Sequence, residues 1–370
     1  LLVCIVNPAL GETSWLKELK QTGFEYVTIP IGNPFNLSDV YAVSSLIKTF
    51  QADVVHALDH RSDLIGILSA RLTGRPVVAS FLGWVNFPKG SWRATVYPWI
   101  DRMILKRLDA VITDSVAIGS ELNMKEQDPP VVAIRNGIDT AWFDPRRTLT
   151  PSSVTGFVKG GDFVFGMVGR IHPVKGHLNF LKAARTVLQT HADCRFLIVG
   201  TVLPGFEYYR QSLQEFIREQ GLEQSVLIAH VSLAEIPAVF AGIDVLVAPS
   251  FAESFSFTLL EGMAMEKAVV SSEVGGAGEM ITHGDTGYLI PVDDVSRLTE
   301  TMLMLRAAPD KVQDIGRRAR KKIINDLGIE AMAARTYEVY LRLIEFKAQK
   351  SSSSGHQLRL REQLAMISAK

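Results

Sequence analysis

The chain has 370 residues, more than one hydrophobic core of ordinary size usually organises, so two domains are expected. Hydrophobic residues make up 47% and charged residues 21%, and 39 basic residues balance 39 acidic ones. That is a globular composition with no global field to gather a polyanion, which argues against nucleic acid as a partner. No apolar run approaches the roughly 20 residues that span a bilayer. Cys4 and Cys194 sit in the apolar runs LLVCIV and CRFLIVG, as buried free thiols in a reducing compartment would. A cytoplasmic location is the expectation, with membrane association left open.

In chain order, LLVCIV, EYVTI, DVVHAL, PVVASF, DAVIT and VVAIRNG read as strands. Helical stretches such as 40–50 and 64–72 lie between them. Strands alternating with helical patterns imply parallel pairing with crossover helices. The segment TAWFDPRRTLTPSSVTGFVKGGD then breaks any period with Pro145, Pro151 and three glycines, and reads as an inter-domain linker. Alternation restarts with FVFGMVG, RFLIVG, VLIAH, DVLVAPS, AVVSS and GYLIP as strands, and 178–188, 211–220 and 257–265 as helices. Helical patterning resumes over 295–305 and 329–346. These elements predict an α/β fold of two doubly wound, Rossmann-like domains facing across a cleft, where such sheets bind ligands at their carboxyl ends. The expected boundaries are 1–145, a linker at 146–160, 161–335, a C-terminal helix at 336–350 packing back on the first domain, and a tail at 351–370. The tail reads as a flexible connector, SSSSGHQ, followed by a short amphipathic helix.

Candidate chemistry collects in the second domain. Gly169 and Arg170 end the strand FVFGMVG, and Lys175 and Gly176 follow. Two cations beside a glycine-bearing turn that opens a helix suit a diphosphate, although two solvated surface cations would read the same way. In FAESFSFTLLEGMAM, Glu253 precedes a helix and Glu261 lies inside it. Eight residues of helical rise separate their backbones by about 12 Å. A hydrolytic carboxylate pair spans about 5 to 9.5 Å, so the layout better suits two stations on one long ligand. Sugar hydroxyls at one station and ribose hydroxyls at the other are natural partners for carboxylates. The amides of Phe255 and Ser256 would face an anion between them. GGAGE, ending on Glu279, permits close backbone approach, and a tight turn with an acidic helix start would account for it equally well.

The order GR....KG, DV.V.PS, E-x7-E, GG..E and HGDTGYLIPVDD resembles the retaining glycosyltransferases of family 4, glycosyl transferases group 1, which have the GT-B fold. DVVHAL, PVVASFLG, DAVITDS and RNGIDTAWFDP in the first half are similar to that family's text, and the resemblance spans about 1–346. It implies an N-terminal acceptor-side domain and a C-terminal nucleotide-sugar-binding domain. Arg170 and Lys175 would then hold the donor diphosphate, with Glu253 at the transferred sugar and Glu261 at the ribose. Ser254, Phe255, Ser256, Phe257, Gly169, Gly11 and Glu279 would complete the donor site. The implied reaction moves a hexose-type sugar from a nucleoside-diphosphate sugar to a carbohydrate or lipid-linked acceptor with retention, in cell-envelope or polysaccharide biosynthesis. It implies no metal and no cofactor besides the donor substrate, and no Ser, His and Asp set or metal-ligand spacing stands out in the chain. Departures are also visible. Leu82 stands where the family commonly has histidine, Gly11 is what remains of a twin-glycine loop, Ser254 and Ser256 replace glycines, and EKA at 266–268 replaces glycine-x-proline.

His56 matches a family position near the cleft, but a lone histidine at a strand end reads as structural and is given no catalytic role. His172 in the IHPVK loop could touch phosphate or simply lie at the surface. Trp84 to Arg107 gathers three of five tryptophans with five cations, which suits either a peripheral membrane contact or a loop and helix packed on the first domain. Readings outside transfer are an epimerase or phosphorylase on the same architecture, a periplasmic-type sugar-binding protein, and a catalytically silent nucleotide-sugar-binding relative.

Overall fold

The computed structural model describes residues 2–6, 23–29, 37–84, 93–147, 154–349 and 354–369, and these form two compact units. The first comprises 1–134 and 335–370, the second 135–334. Gly11 lies outside the described residues, as do 148–153 of the predicted linker and 85–92 of the tryptophan-rich stretch.

In the first unit, β1 (Leu2–Val6) pairs parallel with β2 (Glu25–Ile29). A separate parallel ladder runs in sequence order through β3 (Val55–Ala57), β4 (Val77–Phe81), β5 (Ala110–Thr113) and β6 (Val131–Ala133). The six strands are those expected from the sequence. Residues 110–113 are all buried, as a parallel sheet covered on both faces requires. The C-terminal segment groups with this unit. The helix Ser354–Ala369 packs on β6, burying Leu360, Leu364 and Ile367, and Ser368 Oγ accepts from the Ala133 amide at 2.9 Å. These three residues are spaced four and three apart, which places them on one helical face.

The second unit holds a six-stranded parallel sheet in the order β12-β11-β10-β7-β8-β9. The strands are β7 (Phe163–Val168), β8 (Cys194–Val199), β9 (Val226–Ala229), β10 (Val245–Ala248), β11 (Ala268–Ser272) and β12 (Tyr288–Ile290). From β7 the chain winds outward through β8 and β9, then returns to the other side of β7 and winds outward through β10, β11 and β12. The winding direction therefore reverses between β7 and β10, the position where sheets of this kind bind ligands beside the carboxyl ends of their strands. The core on both faces is aliphatic and aromatic, with Phe165, Phe180, Phe196 and Phe240 fully buried.

The helices expected at 178–188, 211–220 and 257–265 occur as His177–Leu188, Glu207–Glu219 and Phe257–Ala264. Pro309–Asp326 is an unexpected helix between the two expected further on. Its dense charges hide a buried stripe at Val312, Ile315, Ala319 and Ile323. Arg320 on this helix is buried too. It donates to the carbonyls of Phe143 and Ala264 and lies 3.4 Å from the Asp144 carboxylate, which ties 140–144 to the second unit. Among the described residues no helix is long and apolar enough to cross a membrane.

Candidate active site

Three loops at the carboxyl ends of β7, β10 and β11 are joined through their backbones. The loop after β7 forms a single 3-10 turn, Pro173–Lys175, whose N-cap is His172. His172 Nδ1 accepts from the Val174 amide at 3.1 Å, and its ring lies 4.2 Å from that of Phe206. Burial, reinforced by the positive charges of Arg170 and Lys175, holds His172 below its ordinary pKa. A neutral ring suits the acceptor role at Nδ1.

Val174 O accepts from the Phe251 amide at 2.7 Å, which links the first loop to the second. Ser254 O accepts from the Gly276 amide at 2.6 Å, which links the second to the third. Two glycines make these approaches possible. Gly176 has φ +77°, and a Cβ there would stand 2.0 Å from the Pro249 carbonyl oxygen. Gly275 has φ +50°, and a Cβ there would stand 2.1 Å from the Glu253 carbonyl oxygen. Any side chain at either position would force the loops apart.

This framework brings two of the expected site residues into contact. Lys175 Nζ forms an ion pair with Glu253 Oε1, and Ser250 Oγ donates to the same oxygen at 3.1 Å. Both charged side chains are mostly covered, at 15% and 20% exposure. Ser250 ends the motif DVLVAPS, and sequence reasoning gave it no role. Arg170 is exposed, outside that ion pair, and close enough for its charge to act on His172.

Ser256 is the N-cap of the helix Phe257–Ala264 but makes no side-chain capping bond. The first-turn amides of that helix therefore have no side-chain acceptor from it. Ser256 is buried, the Phe255 ring belongs to the core, and Phe257 is exposed. Glu261 is half-buried one turn further along the helix, and burial pushes its carboxyl up to about 7. The helix ends in a Schellman motif, with the Lys267 amide on Gly262 O at 2.9 Å and the Glu266 amide on Met263 O at 3.2 Å. Glu266 consequently takes φ +58°, the left-handed position where glycine is usual.

Glu279 sits in the short helix Ala277–Met280, and its Oε2 accepts from Arg135 Nε at 2.9 Å. Arg135 also escaped sequence reasoning, since nothing local in RNGID marks a partner 144 residues away. Gly169 has φ +142° at the end of β7.

In the first unit His56 is clamped between two hydroxyls. Nε2 lies 2.8 Å from Ser80 Oγ and Nδ1 lies 2.5 Å from Tyr340 Oη. Burial lowers its pKa to about 4, which keeps the ring neutral between the two hydroxyls. Leu82 is exposed just past β4. Among the described residues no group of three or more His, Cys, Asp or Glu is placed to hold a metal ion.

The model for Glycosyl transferases group 1 matches 162–307, and that for Glycosyltransferase Family 4 matches 11–142. The lipopolysaccharide core biosynthesis mannosyltransferase LpcC of Rhizobium leguminosarum bv. viciae is 28% identical over 294 residues, 79% of this chain and 78% of the relative. The UDP-Gal:alpha-D-GlcNAc-diphosphoundecaprenol alpha-1,3-galactosyltransferase of Escherichia coli is 25% identical over 324 residues, 84% and 80% of the two chains. The crystal structure of Anabaena Alr3699/HepE in complex with UDP superposes with a TM-score of 0.76 at 18% identity, covering 91% of this chain and 99% of that one. This likeness shows the fold.

Proposed function

We propose that this chain, which belongs to family 4 of the glycosyltransferases and has their GT-B fold, moves a hexose-type sugar from a nucleoside-diphosphate sugar to a carbohydrate or lipid-linked acceptor with retention. The observation that carries the reading is the contact between Lys175 and Glu253 at the reversal point between β7 and β10. There the diphosphate lies against the cations Arg170 and Lys175 and the first-turn amides of the helix Phe257–Ala264. Glu253 accepts hydroxyls of the transferred sugar and Glu261 accepts those of the ribose. Ser254 and Ser256 flank the phosphates, and Glu279, held by Arg135, fixes the loop beyond them.

In the reaction the bond from the anomeric carbon to the diphosphate oxygen breaks, and the acceptor oxygen bonds to that carbon on the same face. The acceptor's proton passes to the leaving diphosphate oxygen. The chain's main task is to stabilise the charge developing on that leaving group, which Arg170 and Lys175 do as fixed cations without a resident metal or cofactor. The names of the two relatives support an envelope or polysaccharide acceptor, and the UDP in the Anabaena structure supports a uridine donor. A cytoplasmic reaction fits such donors.

Thermal shift with UDP, GDP and ADP tests the reading. A nucleoside diphosphate at 100 times its dissociation constant should add about 2.7 kcal/mol of stability, with the effect weakened in Lys175→Ala and Glu261→Ala. No shift with any of the three overturns the donor site. Binding without transfer to any acceptor marks the silent relative instead, for which the exposed Leu82 would be the reason.

A further inference from the structure

We infer that the helix Arg93–Leu105 of the first unit docks this protein on an anionic lipid surface. Helices of globular units turn their apolar stripe inward, and this one carries a second stripe facing out. Val96, Trp99, Ile100 and Met103 recur at spacings of three, one and three residues, so they share one face, and all four are exposed, Trp99 at 63%. The opposite face is the packed one. It buries Asp101 and Leu105. Four large apolar side chains in one exposed stripe mark a binding surface.

The charge around the stripe selects the occupant. From 93 to 108 the cations are Arg93, Arg102, Lys106 and Arg107, and the only acid is Asp101, which faces inward. Arg102 lies over the Trp84 ring at 5.0 Å, Lys106 pairs with Asp128 at 3.3 Å, and Arg107 is exposed at the helix end. The helix His60–Thr73 packs beside this one and adds exposed Leu68, Arg71 and Leu72. An outward apolar stripe with a tryptophan, bordered by cations and with no exposed acid between 93 and 108, matches the headgroup and acyl boundary of an anionic bilayer. It does so even though exposed Glu121 and Glu126 lie in the neighbouring segment. A second copy of the chain fits less well, because a twofold contact would bring identical cationic borders together. The contact is a surface one, since no described helix can span.

This goes beyond the donor-site reading and stands without it. The test is flotation of the full chain with vesicles of phosphatidylcholine alone and of phosphatidylcholine mixed with phosphatidylglycerol. Binding to the mixed vesicles should be at least about 10-fold stronger than to the neutral ones and should weaken as salt rises. Trp99→Glu combined with Ile100→Glu should abolish it, and Arg107→Glu should reduce it several-fold. Both variants alter exposed positions, so an unchanged melting temperature accompanies the loss. The inference is overturned if the chain floats with neither vesicle, if it floats equally with both, or if the Trp99 and Ile100 variant still floats. Concentration-dependent self-association of the wild type that the same variant abolishes would assign the stripe to a second copy and overturn it as well.

Discussion

Lys175 and Glu253 form an ion pair across the line where the sheet of the second unit reverses its winding. Lys175 stands in the loop that leaves β7 and Glu253 in the loop that leaves β10, neighbours in the sheet although 78 residues apart in the chain. Ser250 supplies a further donor to the same carboxylate oxygen. Each group thus holds the other in place.

On the proposed function, removing either charge should affect catalysis through different parameters. Glu253→Gln keeps the shape and the Ser250 bond, so UDP affinity should change little while turnover falls about 100-fold, the size of effect seen when one preorganised polar contact to a reacting group is lost. Lys175→Met removes the cation at the leaving group and leaves Glu253 without its ion pair, so UDP affinity and turnover should both fall. Calorimetry with UDP and initial rates separate the two patterns.

Glu261 should make both stability and donor affinity depend on pH. The unfolded chain releases this proton near 4.5, whereas burial keeps it bound in the native state up to about 7. Its contribution to stability is therefore largest below 4.5 and declines as pH rises to about 7. A ligand whose hydroxyls donate to the ionised carboxylate reverses the trend, so UDP should bind more tightly at pH 8 than at pH 6. In Glu261→Gln the pH dependence of both quantities should flatten in melting and titration series.

His56 gives the opposite slope in the first unit. The unfolded histidine takes up a proton near 6.5, and the buried native ring resists it down to about 4, so stability is lost as pH falls from 6.5 to 4. Tyr340→Phe removes the hydroxyl partner of Nδ1 and should lower stability by about 1 kcal/mol at neutral pH. Chemical denaturation at pH 7.5 and 5.5 measures both effects.

Glu266→Gly should stabilise the protein. The residue sits at φ +58° as the left-handed position of a Schellman motif, where a side chain is strained and glycine is not. Its carboxylate lies 3.9 Å from Arg320, a contact too long to offset that strain. A gain of about 0.5 to 1 kcal/mol in the second unit is expected, seen as a rise in its melting midpoint.

Gly275→Ala should do the reverse and reach the site. The added methyl would meet the carbonyl oxygens of Glu253 and Ser254 at 2.1 and 2.5 Å. The loop carrying Glu253 must move, so stability should fall by about 1 to 3 kcal/mol and turnover should fall even well below the melting temperature. Turnover unchanged at low temperature would show that the glycine clasp has no part in positioning Glu253.

By itself the sequence determined the elements and their order. All six strands of each unit are visible as apolar runs, and those covered on both faces, such as 110–113, are apolar along their whole length. The spacing of Glu253 and Glu261 was not legible as a fixed distance. The helix begins only at Phe257 and Glu253 lies in the loop before it, so helical rise does not apply to all eight residues. The helix Pro309–Asp326 was not legible either, since its charges obscured a narrow buried stripe. Tertiary structure alone decided the partners. Lys175 with Glu253, Arg135 with Glu279, Arg320 with the Phe143 carbonyl, and His56 with Tyr340 are separated by 78, 144, 177 and 284 residues. Periodicity records only what neighbours in the chain do to each other. Which loops meet is set by strand order, and strand order is fixed by how the whole sheet buries its faces.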